Sequence, residues 1–180
     1  TLIPPGSPRI PGLEVATAFR PAGEGAEVGG DFFDVFQIGD EDWVVVVGDV
    51  CGKGVEAAVV TAAARYTLRA ASVSSPSPSA ALTTLNEVLL HHDADRFCTV
   101  ALARLRRQDG AWSATVCCAG HPLPVLRQRD GRCVEAGVRG SLLGVRAAAE
   151  LTDTTRSLHP GERLVLYTDG VTEARRGTEF

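Results

Sequence analysis

The sequence predicts an α+β layered sandwich, and three observations carry that reading. Strands follow one another through short turns, two helices sit together in one block, and one strand is apolar on both faces. A doubly wound parallel sheet would instead alternate strand and helix along the chain. Residues 2–12 hold four prolines and two glycines, so residues 1–12 read as a Pro-rich linker tethering an upstream domain, with the domain itself at 13–180. Residues 13–19 alternate weakly and predict a first strand. Residues 30–38 and 43–50 are stronger strands, joined as a hairpin through Gly39, Asp40 and Glu41. Positions 44–47 are all valine, the pattern of a strand covered on both sides. Residues 55–74 are Ala-rich without Pro or Gly and predict a helix. Ser77 before Pro78 supplies an N-cap and a first-turn proline for a second helix to about residue 91. Strands are then expected at 97–106, 112–119, 123–128, 150–158 and 163–168.

Composition narrows the function classes. A chain of 180 residues with 44% hydrophobic content supports one domain with a substantial core. The net charge of -4, with arginines scattered along the chain, gives no basic footprint for nucleic acid. No apolar run reaches the roughly 18 residues of a membrane span, so the sequence reads as cytoplasmic with no membrane partner. Five cysteines without a C-x-x-C pair form neither a disulfide framework nor a zinc site. Lys53 does not complete a phosphate-binding loop, because Gly54 stands where Ser or Thr must meet Mg²⁺.

The carboxylates carry the chemistry. With Gly39, Asp40 and Glu41 as the loop, Ile38 faces Asp42, and Asp31 falls directly across from Asp49. Opposed residues have Cβ atoms about 4.5–5.5 Å apart, and two carboxylates there repel unless a cation lies between them. Oxygen-only ligands suit Mg²⁺ or Mn²⁺. Glycines 29, 30, 52 and 54 leave the backbone open beside both aspartates. The plainer alternative is a pair of polar strand ends flanked by turns. Asp169 follows an apolar strand and precedes Gly170, a setting that often holds functional groups. Asp34 alternates onto the opposite sheet face and reads as structural.

At these motifs the sequence resembles the PPM-type metal-dependent serine/threonine protein phosphatases, in their bacterial SpoIIE-like branch. The strings EVGGDFFDVF (27–36), VVGDVCGKGVEAA (46–58), FCTVALARL (97–105), CAGHPLPVL (118–126), GSLLGV (140–145) and LVLYTDGVTEAR (164–175) occur in the family's order. The resemblance implies a four-layer αββα sandwich of two mainly antiparallel sheets. It also implies two Mn²⁺ or Mg²⁺ ions held by Asp31, by Asp49 as the bridging ligand, by the Val50 carbonyl and by Asp169. Phosphoserine or phosphothreonine would be hydrolysed by a metal-activated water, with a phosphorylated STAS-type anti-sigma-factor antagonist as the partner. An upstream sensor acting through the two helices and a homodimer are further expectations.

The sequence also departs from the family pattern. Cys51 stands where eukaryotic relatives place a proton-donating His, leaving water as the proton source. His121, between Gly120 and Pro122, reads first as a turn residue and second as an acid. Leu142 replaces a usual Pro and is expected to change loop stiffness only. The family's last metal-binding Asp lies on a strand beyond the TDG motif, so a missing C-terminal strand is expected. A pseudophosphatase acting as a protein-binding module is the alternative function.

Overall fold

The computed structural model describes residues 8–19, 30–91 and 96–173. The elements in chain order are β1 (Asp31–Gly39), β2 (Asp42–Val50), α1 (Val55–Ser74), α2 (Pro78–Leu90), β3 (Cys98–Gln108) and β4 (Ala111–Ala119). They continue with β5 (Val125–Arg127), β6 (Cys133–Glu135), β7 (Thr154–Leu158), β8 (Arg163–Val165) and the short α3 (Asp169–Thr172). One sheet has the order β1-β2-β3-β4-β7 and the other β6-β5-β8, and every pairing within them is antiparallel. Two antiparallel sheets with flanking helices make this the expected α+β sandwich. None of the described helices is long and apolar enough to cross a membrane.

The five-stranded sheet is apolar on both faces, as the valine run in β2 requires. One face buries Phe32, Val44, Val46 and Leu102 against Val60 and Leu68 of α1 and Leu82 and Leu85 of α2. The other buries Val35, Trp43, Ala103 and Leu105, with Leu123 and Leu164 contributed by the second sheet and the chain leading into it. Burial of whole Leu, Val and Phe side chains, worth about 1.5–3 kcal/mol each, is what holds the layers together. At α2 the Ser77 hydroxyl accepts from the Ala80 amide at 3.4 Å, and Pro78 occupies the first turn as expected. Asp153 adds a carboxylate at the same helix end, bound to the Ser79 amide at 2.9 Å and hydroxyl at 2.6 Å.

Several local expectations need correction. Residues 13–19 form no strand: Leu13 makes one bridge to Ile10, and the rest of the segment is not strand. Ile10, within the expected linker, is only 2% exposed and packs in the second core, so packed structure includes part of that segment. The β1–β2 loop is shorter than three residues, because Gly39 already pairs with Asp42 and an irregularity at Ile38 absorbs the extra residue. Strands expected at 123–128, 150–158 and 163–168 shrink to β5, β7 and β8. For β5 the reason lies in the sequence, since Pro122 and Pro124 bring no amide to a ladder. For β7, Glu150 and Asp153 are occupied by Ser141 and Ser79 instead of a strand partner. The sequence reading omits β6, whose three partly exposed residues carry too short a pattern to register.

Candidate metal centre

The β1–β2 ladder pairs Asp31 with Asp49 directly, as the loop-based register requires. Both lie on the face away from the helices, at the end of the hairpin far from its turn. Asp169 enters from the start of α3, and one carboxylate oxygen from each of the three aspartates lies within 4.8 Å of the others. Gly30 explains how the backbone allows this approach. A Cβ there would run into the Val50 carbonyl oxygen and would lie 2.5 Å from Asp49 Oδ1, so both oxygens converge on the space that glycine leaves open. The Val50 peptide is itself tied down, its amide donating to the Gly30 carbonyl at 3.1 Å.

Electrostatics at this cluster are unfavourable without a cation. Asp49 is pushed up to about 6, first by burial and then by the charges of Asp31 and Asp169, against a lowering contribution from the Val50 amide. Burial also raises Asp31, with the Thr168 hydroxyl opposing and Asp169 adding to the shift. Thr168 Oγ1 donates to Asp31 Oδ2 at 3.3 Å, while Asp31 Oδ1 is buried with no hydrogen-bond partner among the described residues. Three converging carboxylates, one of them with a buried oxygen left orphaned, make the arrangement that a hard divalent cation satisfies.

Asp34 is not part of the cluster. It lies at 0% exposure on the helix face, where Arg65 Nε donates to Oδ2 at 2.8 Å. Arg69 donates to its two oxygens at 2.6 and 2.8 Å. Burial alone would raise its pKa, but the two guanidinium groups outweigh burial and hold the carboxyl below its ordinary value. Asp34 therefore joins β1 to α1, the structural role its parity implies.

The residue after Val50 is held just as firmly. The Cys51 amide donates to the Phe97 carbonyl at 3.0 Å, and its carbonyl accepts from Arg96 at 2.7 Å. Leu142 packs over Gly120, whose φ of +62° has no room for a side chain there. His121 is more than a turn residue: it is 3% exposed and bonded at both ring nitrogens, to Thr99 Oγ1 at 2.9 Å and to the Tyr167 carbonyl at 3.1 Å. Burial pushes its pKa down to about 4, so the ring is neutral near pH 7. Thr99, Thr168 and Arg96 escape sequence reading. Thr99 and Thr168 lie inside the 97–105 and 164–175 motifs and Arg96 just before the first of these, but no spacing rule singles out their contacts.

A cleft of about 430 Å³ opens onto the cluster, lined among others by Asp49, Asp169, His121, Tyr167 and Arg139. Arg139 is the one cationic side chain in its described wall, at the rim beside Glu135.

Known proteins resemble this chain in sequence and in fold. Residues 39–180 match the family model described as Stage II sporulation protein E. The phosphoserine phosphatase RsbU of Bacillus subtilis is 28% identical over 182 residues, an alignment covering 100% of this chain and 52% of that protein. This chain spans about half the length, or less, of the curated relatives it matches. The RsbU and RsbW domains of Rv1364c from Mycobacterium tuberculosis superpose with a TM-score of 0.70 at 29% identity, covering 88% of this chain and 43% of that one. RsbX in complex with magnesium shares the fold, with a TM-score of 0.67 at 18% identity over 82% of this chain and 70% of that one.

Proposed function

The chain belongs to the Stage II sporulation protein E (SpoIIE) family, and from that membership we propose that it is the catalytic part of a metal-dependent protein serine/threonine phosphatase. The observation that carries the reading is the convergence of one carboxylate oxygen each from Asp31, Asp49 and Asp169 within 4.8 Å of one another. These carboxylates, with the Val50 carbonyl beside Asp49, would hold two Mn²⁺ or Mg²⁺ ions. Bound there, such ions lower the pKa of water and offset charge on phosphate oxygens. The chain's own part is to hold the ligands rigidly and to admit the phosphoryl group. Gly30 and the β1–β2 ladder fix Asp49 against Asp31, and Thr168 fixes Asp31 against the Asp169 turn. The cleft rim brings one positive charge, Arg139, to a wall otherwise carrying Asp49, Asp169 and Glu135, where a phosphate dianion needs it.

Cys51 takes no nucleophilic role in this reading. The one histidine in the described cleft wall already spends both ring nitrogens on Thr99 and Tyr167, leaving no base for the thiol. The substrate we propose is phosphoserine or phosphothreonine on a STAS-type anti-sigma-factor antagonist, supported by the likeness to RsbU. An upstream sensor would act through α1 and α2.

The test is hydrolysis by the full-length protein with Mn²⁺, assayed on each phosphorylated antagonist encoded in its genome and on an aryl phosphate. Activity on one antagonist far above that on the aryl compound supports the whole reading. Activity on the aryl phosphate alone would remove the partner and leave the enzyme. Absence of both, with antagonist binding intact, would mean a pseudophosphatase.

A further inference from the structure

His121 lies next to the carboxylate cluster without belonging to it, and its bonding pattern is polar in a definite sense. A carbonyl oxygen only accepts, so the contact to Tyr167 requires a proton on Nε2. In the neutral ring Nδ1 then carries the lone pair and accepts from the Thr99 hydroxyl. Each end of this link reaches a cluster residue. Thr99 is the ladder partner of Asp49 on β3, and Tyr167 stands two residues before Asp169. Thr168, between them, donates to Asp31. The segment from 166 to 168 has no strand partner among the described residues once β8 ends at Val165, so the imidazole supplies an anchor that a ladder does not.

We propose that His121 is a positioning residue: its Nε2–H bond to the Tyr167 carbonyl fixes the Tyr167-Thr168-Asp169 turn, and through it the Asp169 carboxylate, against Asp31 and Asp49. The inference rests on the phosphatase reading, and it removes His121 from the candidates for proton donor. A ring whose Nε2–H is committed to a backbone carbonyl has no proton aimed into the cleft.

Two side-chain amides separate the two halves of the link. In His121→Gln the amide nitrogen reaches the Nε2 position and keeps the donor to Tyr167. In His121→Asn only the acceptor toward Thr99 remains. The measurement is calorimetric Mn²⁺ titration of the full-length protein, with thermal unfolding of the metal-free variants alongside and kcat on an aryl phosphate at saturating Mn²⁺. Expected is a loss of Mn²⁺ affinity of about tenfold or more in His121→Asn and His121→Ala, with His121→Gln within about threefold of wild type. Saturating Mn²⁺ should return most of kcat in all three. Thr99→Val, which keeps the Tyr167 bond, should weaken Mn²⁺ less than His121→Asn. Nitrogen NMR of the metal-free wild type needs no substitution and should show a pyrrole-like Nε2 and a pyridine-like Nδ1.

A pyridine-like Nε2 would overturn the proposal even if every variant failed to fold. So would equal kcat losses in Gln and Asn variants at unchanged Mn²⁺ affinity, the behaviour of a proton donor. Normal wild-type uptake with unaltered uptake in His121→Ala removes the inference alone. Wild-type protein that neither binds Mn²⁺ nor hydrolyses phosphate removes the phosphatase reading as well.

Discussion

Asp34 and Asp49 lie on neighbouring strands with opposite orientation, and neutralising each should have opposite effects. Asp34→Asn leaves Arg65 and Arg69 facing an amide in a site where the carboxylate is 0% exposed. Breaking a fully buried pair costs about 3–5 kcal/mol. The Arg69 side chain is 40% exposed and can turn to water, which reduces the expected loss to about 2–3 kcal/mol. For a domain of this size that is a fall in Tm of roughly 4–12 °C. Asp49→Asn removes a charge that Asp31 and Asp169 oppose, and should raise metal-free stability by about 1 kcal/mol after allowing for its partial exposure. The size of this gain depends on pH. A carboxyl whose folded pKa is raised to about 6 destabilises the fold above that pH and ceases to do so as pH falls toward its ordinary value. The gain in Asp49→Asn is therefore largest near neutrality and fades towards pH 4. Mn²⁺ should stabilise wild type and Asp34→Asn alike through binding linkage, and Asp49→Asn hardly at all. Thermal unfolding with EDTA or Mn²⁺ at several pH values, with Mn²⁺ titration calorimetry, measures every arm. Equal loss of Mn²⁺ binding at positions 34 and 49, or a metal-free Asp49→Asn less stable than wild type near neutral pH, would refute the reasoning.

Other perturbations address separate parts of the structure. Gly30→Ala places a methyl against the Val50 carbonyl and should lower Mn²⁺ affinity at least tenfold by calorimetry. An unchanged affinity would show that the two oxygens do not need to converge there. The depressed pKa of Asp34 contributes stability present above its unfolded value near pH 4 and lost as pH falls further. Acid unfolding of Asp34→Asn should accordingly show a shallower pH dependence than wild type below pH 4. Ser77→Ala, removing the α2 cap, should cost about 1 kcal/mol in urea unfolding without altering Mn²⁺ binding. Arg139→Ala should raise KM for a phosphoprotein several-fold with little change in kcat, and a pure kcat loss would contradict a phosphate contact at the rim.

The parts of the fold that the sequence discloses are those governed by local rules. The opposition of Asp31 and Asp49 follows from a short loop and the two-residue period of a strand, and it survives the irregularity at Ile38 because that slip lies at the turn end. The side on which Asp34 falls follows from the same period. The Ser77-Pro78 start of α2 follows from capping chemistry. What the sequence hides depends on distant partners. Residues 13–19 have a strand-like pattern but are not part of a described strand, and β6 is a strand because β5 lies beside it. The Thr99–His121–Tyr167 link joins three segments through single contacts, and no spacing rule predicts it.

One strand pair thus carries both a buried double ion pair and a carboxylate repulsion. On the helix face, Asp34 satisfies two guanidinium groups and Phe36 lies under Arg69 at 4.7 Å, binding β1 to α1. On the opposite face, Asp31 and Asp49 press together with an oxygen left unpartnered. Because the pleat sends these groups to opposite sides, a cation drawn to the second face relieves the repulsion without disturbing the tie on the first. The hairpin need not rearrange to bind, so affinity for a divalent ion should be governed by the approach of the Asp169 turn. That turn meets the sheet through the side-chain hydrogen bonds of Thr168 and His121, so one wall of the site is set by two such bonds and the other by the core.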